Sequence, residues 1–105
     1  MKLSEKLQKL EVGKYYYTAE YNSYRKEEKP LRKSWWKVSK KNDKGIIFNL
    51  ISTFNEQPLN YYSHFYVDAQ EIFYKDHEWQ EITESEFIAQ VEELKSQLNR
   101  LITNN

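Results

Sequence analysis

The residues of this chain best equipped for chemistry lie in RKSWWKVSKKNDKG, residues 32–45, where two adjacent tryptophans stand among lysines and an arginine. With the run before it, Arg25, Lys26, Lys29, Arg32, Lys33, Lys37, Lys40, Lys41 and Lys44 oppose only Glu27, Glu28 and Asp43, and Tyr21 and Tyr24 lie close to Trp35 and Trp36. Fixed cations draw anionic partners, and flat aromatic faces either stack on unpaired bases or anchor a protein interface. The expected partner-binding set is therefore Arg25, Lys26, Arg32, Lys33, Trp35, Trp36, Lys37, Lys40, Lys41 and Lys44, with a protein as the first expected partner and single-stranded nucleic acid as the alternative. Two structural uses compete with this reading. Neighbouring residues of a strand point to opposite faces, so one tryptophan belongs to the core, and lysines on an edge strand serve to keep it soluble.

Charge along the chain is uneven although the total is zero. Residues 1–45 carry 13 Lys and Arg against 6 acids, whereas residues 46–105 carry 3 against 10. Such a split is the footprint of a charged partner, or of two halves that fold against each other and cancel. The acidic counterpart would be built from Asp68, Glu71, Asp76, Glu78 and Glu81.

Catalytic constellations are sparse. The two histidines, His64 and His77, have carboxylates nearby in sequence, but no HExxH pattern or helical His pair forces them to converge, so no metal is expected. His64 beside Tyr62 and Tyr66 offers a minor enzymatic alternative, a His-dependent phosphodiesterase, without a second committed acid or base. The only glycines, Gly13 and Gly45, make no phosphate loop, and there is neither a Gly-x-Ser-x-Gly elbow nor a cysteine. The sequence reads as a non-enzymatic protein without cofactors.

Length sets the frame for these residues. A chain of 105 residues can bury roughly two-thirds of its unfolded surface as one domain without staples. The opening MKLSEKLQKLEVG alternates charge with leucine and is no secretory signal, no apolar run approaches the length of a membrane span, and cysteine is absent. A cytoplasmic protein with no membrane partner is expected. Phe, Tyr, Met, Ile, Asn and Lys total 43 residues against 10 of Ala, Gly, Pro and Arg, the bias of AT-rich codons. That bias and the lack of catalytic signature suit the small accessory or inhibitor proteins of phages and mobile elements.

The elements that must position the hairpin can be read from periodicity. Ser4 caps a short amphipathic helix with Leu3, Leu7 and Leu10 on one face, ended by a left-handed Gly13. Strands are expected over Lys14 to Asn22, Ser34 to Lys41, Gly45 to Phe54 and Tyr61 to Val67, with NDKG as the hairpin turn and Gly45 available for positive φ. EIFYK and EWQEI supply one or two more short strands. Tyr61, Phe65 and Val67 should share one face, and Tyr62, His64 and Tyr66 the other. Thr83 and Glu86 form a capping box for a helix from Glu84 to Ile102, whose Phe87, Val91, Leu94, Leu98 and Leu101 recur at alternating four and three spacing. That stripe either lies on the sheet or joins a homodimer through the C-terminal helix. The predicted fold is α+β: an antiparallel β-sheet of four to six strands packed on one face by the C-terminal helix, over the floor of Phe48, Leu50, Phe65 and Val67, with a short N-terminal helix at an edge.

Overall fold

In the computed structural model, residues 3–21, 30–70, 74 and 77–103 are described. Helix α1 (Glu5–Gln8) is followed by strands β1 (Tyr15–Glu20), β2 (Arg32–Lys41), β3 (Gly45–Phe54), β4 (Asn60–Asp68) and β5 (Gln80–Ile82), then by helix α2 (Glu84–Thr103). The strands form one antiparallel sheet in the order β4-β3-β2-β1-β5, within the predicted α+β architecture. Of the segment EIFYK only Tyr74 falls among the described residues.

Register assigns the two faces. Tyr16, Trp36 and Leu50 are aligned across β1, β2 and β3, as are Thr18, Ser34 and Ser52, and Val38, Phe48 and Phe65 continue the same face. This first face holds the core: Trp36 is 1% exposed and its ring meets those of Phe48 at 4.8 Å and Trp79 at 4.9 Å. Its Nε1–H donates to the buried Thr18 Oγ1 at 2.9 Å, which meets the rule that a buried polar atom needs a partner. Leu3, Leu7 and Leu10 complete this cluster, so the N-terminal helix lies on a sheet face and not at the expected edge. The three leucines must be buried, and a four-residue helix can bury them only by lying flat on apolar strands. Ser4 Oγ caps it as predicted, but the helix ends at Lys9 in right-handed backbone, so the left-handed Gly13, with φ 86°, does not terminate it and instead turns the chain towards β1, its amide donating to the Val38 carbonyl at 2.9 Å.

The second face carries Tyr15, Tyr17, Lys33, Trp35, Lys37, Asn49 and Ile51. Helix α2 crosses this face from Tyr15 on β1 to Leu59 before β4, and leaves open the end nearest the Asn42–Gly45 turn. Its start is fixed by the reciprocal capping box, Glu86 N–H to Thr83 Oγ1 at 3.1 Å and Thr83 N–H to Glu86 Oε2 at 2.9 Å. Phe87 packs on Tyr15 at 5.0 Å, and Gln97 exchanges two hydrogen bonds with the Leu59 backbone at 2.9 and 3.3 Å. The expected floor of Phe48, Leu50, Phe65 and Val67 is thus on the wrong side; α1, Tyr74 and Trp79 already fill it. The run from Phe87, beside Tyr15 on β1, to Gln97, beside Leu59 at the start of β4, rises about 15 Å. Beyond Gln97 the helix runs beside Pro58 and Leu59, and its last turn is open, with Leu101 and Ile102 79% and 81% exposed.

Two local departures matter for the site. A bulge in β4 opposite Asn49 puts His64 at φ 57° and resets the alternation, so that Tyr62 joins Phe65 and Val67 on the first face while Tyr61 and Tyr66 lie on the second. The expected grouping of Tyr61 with Phe65 fails because one inserted residue reverses every later side chain. Gly45, expected at positive φ, does not adopt it; instead a Cβ there would meet Tyr66 Cε2 at 2.6 Å. Asn42 makes the turn by accepting from the amides of Lys44 and Gly45 at 2.7 and 3.0 Å.

Candidate binding surface

Strand β2 has two strands on either side, so it is the centre of the sheet. The lysines on it cannot be serving as gatekeepers of an open edge. Lys33, Trp35 and Lys37 alternate onto the second face, and the register shift after Val38 brings Lys40 opposite Ile47 on that face as well. Lys44 stands in the turn beyond.

The predicted partner-binding residues divide into groups. Trp36 is core. Lys41 lies opposite Ile46 on the first face, where its ammonium donates to the carbonyls of Gln8 and, at 2.7 Å, Leu10, closing the end of α1. Arg32 is bound to Glu20 at 3.2 Å, with its guanidinium 5.2 Å from the centroid of Phe54. Arg25 and Lys26 lie outside the described residues. Brought together on one side are Lys33, Trp35, Lys37, Lys40 and Lys44. Trp35 is half-buried against Tyr17 at 5.5 Å, and the Lys37 ammonium stands 6.0 Å from the Tyr15 ring centroid, a cation–π geometry.

Ion pairing elsewhere sharpens the contrast. Lys6 is held by Glu78, and Lys14 by Glu11 and Glu81, so two of the acidic residues expected to form a counter-surface neutralise the basic half of the chain instead. Lys14 is pushed above its ordinary value first by its hydrogen bond to Glu11 and then by the charges of Glu11 and Glu81. Among the described residues Lys33, Lys37, Lys40 and Lys44 have no carboxylate within ion-pair distance. Asp68 is free of such a pair too, while Glu71 and Asp76 are outside the described residues. Burial raises the Tyr17 phenol above its usual value, with a smaller contribution from Tyr21.

Next to the lysines the second face is concave and apolar. A groove of about 460 Å³ is lined by Val12, Ser39, Lys40, Asn42, Ile47 and Tyr66, of which Val12 and Tyr66 are more than half exposed. No residue pattern announces it, because it arises from the β2 bulge and from Val12, a residue between elements. A second hollow of about 320 Å³ on the first face brings Glu20, Arg32, Ser34, Tyr62 and His77 around Trp36. His77 Nε2 is 3.6 Å from Glu20.

His64 is exposed, with Nδ1 2.9 Å from Ser63 Oγ, and the bulge sends Tyr62 and Tyr66 to opposite faces around it. The three side chains that the phosphodiesterase alternative needs together do not converge. Among the described residues no three metal-ligating side chains gather, and no helix is long and apolar enough to cross a membrane. Compared with models of protein families, with curated proteins and with solved structures, the chain matches none.

Proposed function

We propose that this chain is a small non-enzymatic binding protein, an accessory or inhibitor that docks an acidic protein surface on the second face of its β2–β3 hairpin. The observation that carries the reading is the row Lys33, Lys37, Lys40 and Lys44: three of these are on the central strand, and all lack a carboxylate partner among the described residues. Lysines spent on solubility belong on edges. Cations at the middle of a sheet, beside Tyr15, Trp35 and an apolar groove, have the make-up of an interface where aromatic anchors and charge act together.

A protein partner fits better than single-stranded nucleic acid. Stacking a base needs a flat ring open to solvent. Trp36 is buried and Trp35 is half-covered beside Tyr17, which leaves lysines without a free stacking platform. The lysines would give nucleic acid only weak, salt-sensitive contacts.

The test is a fluorescence-anisotropy titration with two labelled probes of equal charge, a Glu/Asp peptide interspersed with leucine and tyrosine, and an oligothymidylate. At physiological salt the peptide should bind and the oligonucleotide should not, and Lys37→Glu/Lys40→Glu should lower peptide affinity by about a hundredfold, two charge reversals at about 1.4 kcal/mol each. Equal binding of wild type and double variant overturns the reading. Tight oligonucleotide binding with quenched tryptophan transfers it to nucleic acid.

A further inference from the structure

We infer that two copies of this chain pair through the open edge of β4, joining their sheets into one of ten strands, with the exposed end of each α2 resting on the other copy. The two edges of the sheet differ. At one, β5 is three residues long; at the other, β4 runs from Asn60 to Asp68 with no Lys, Arg, Pro or Gly, and its only full charge is the terminal Asp68. Natural edge strands of this length are normally blunted by lysine or proline, because their unpaired N–H and C=O groups recruit another strand. In this chain the lysines stand on the central strand and the long edge has none.

The bulge fixes which self-pairing is allowed. Strands in one sheet must keep facing residues on the same face. Tyr62, Phe65 and Val67 are on the first face and Tyr61 and Tyr66 on the second, so the antiparallel register meeting this condition sets Tyr61 against Tyr66, Tyr62 against Phe65 and Asn60 against Val67 of the second copy, with the two bulges opposed. Asp68 then stays clear of its own symmetry mate. Aromatic cross-strand pairs of this kind are favourable, and a chain of zero net charge meets no repulsion from its copy.

The helix supplies an independent argument for a second copy. Gln97 is bonded to the Leu59 backbone, immediately before β4, and the six residues after it continue for about 9 Å beyond that contact, past Pro58. Leu101 and Ile102, 79% and 81% exposed at the corner where β4 begins, stand next to the strand that pairing would bring against β4 from the second copy, whose Tyr66 and Ile47 line the apolar side of the groove. Lys37 and Lys40, on the β2 side of the same groove, stay on the rim. An exposed apolar helix end and an exposed apolar strip, both left open among the described residues, become complementary under a single two-fold rotation.

Light scattering over a range of concentrations up to millimolar tests this, with amide hydrogen exchange as a second readout. The wild type should reach twice the 12.9 kDa of one chain, with β4 amides protected. Ser63→Lys, at an exposed edge position, and Leu101→Glu/Ile102→Glu, at the exposed helix end, should each return it to 12.9 kDa with unchanged circular dichroism. Lys37→Glu/Lys40→Glu should leave the mass at the dimer value, which separates this inference from the proposed binding function. A wild type that stays monomeric, or a dimer that survives Ser63→Lys, overturns the strand pairing; a dimer lost with Ser63→Lys but kept with the helix variant overturns the helix contact.

Discussion

Replacing the two adjacent tryptophans one at a time should give very unequal losses of stability. Trp36 is 1% exposed, touches Phe48, Phe65, Tyr74 and Trp79, and donates to Thr18. Truncating a buried Trp to Ala costs about 3–5 kcal/mol. The Thr18 hydroxyl, buried and left without its donor, adds about 1 kcal/mol, which places Trp36→Ala near the upper end of that range. Trp35 is half-covered and its main ring neighbour is Tyr17, so Trp35→Ala should cost about 1–2 kcal/mol, part area and part aromatic pairing. Urea unfolding followed by far-ultraviolet circular dichroism reads the difference. With a slope of about 1.5 kcal/mol per molar, Trp36→Ala should lower the midpoint by about 3 M and Trp35→Ala by about 1 M. A total stability of about 5–15 kcal/mol leaves Trp36→Ala close to unfolding, so Trp36→Phe, which keeps a ring and loses the indole N–H, serves as the milder variant at about 1–3 kcal/mol. If Trp35→Ala costs as much as Trp36→Ala, the assignment of the two faces is wrong, and with it the row of lysines.

Thr83→Ala removes one arm of the capping box and should cost about 0.5–2 kcal/mol, with faster hydrogen exchange at Glu86 N–H and unchanged exchange in β2. Gly45→Ala sets a methyl against the Tyr66 ring and should cost about 1–3 kcal/mol in urea unfolding, a loss that Tyr66→Ser in the same chain relieves; a neutral Gly45→Ala refutes that contact. Tyr17 has its phenol raised by burial above the 10.0 of the free side chain. A group whose folded pKa is raised gives stability that is complete below the unfolded value and disappears as pH climbs through the folded one. Urea midpoints should therefore fall from pH 9 to pH 11 more in the wild type than in Tyr17→Phe, and an equal fall in both would contradict the burial of that phenol.

The parts of the fold that were legible in the sequence are those set by local chemistry. Ser4, the Thr83 and Glu86 box and the Asn42–Gly45 turn each act within a few residues, and the alternation of β2 and β3 follows from which of their side chains are apolar. The opposite fates of Trp35 and Trp36 follow from strand geometry alone. What could not be read are the long-range choices. Both faces of this sheet are partly apolar, so the leucine stripe of α2 fits either, and the deciding fact is that Leu3, Leu7, Leu10, Tyr74 and Trp79 already occupy the first. The β4 bulge left no mark in NYYSHFYVD, because histidine at positive φ looks like any other residue in a one-dimensional pattern. For the candidate site, the basic composition was visible, but strand order was not. Only when β2 is known to be central does a lysine row stop resembling edge protection, and only register separates Lys33, Lys37 and Lys40 from Arg32 and Lys41, which are bound to Glu20 and to the end of α1.

Nitrogen-15 amide shift mapping of this protein with the acidic Leu/Tyr-containing peptide at saturation asks directly where an anionic partner lies. Binding on the second face of the hairpin predicts the largest shifts at Lys37, Ser39, Lys40, Lys44 and Ile47 and at the Trp35 indole, small ones at the buried Trp36 indole, and disappearance of all of them in Lys37→Glu/Lys40→Glu. Shifts confined to Arg32, Glu20 and the first face, or a pattern that the lysine variant leaves unchanged, would contradict it.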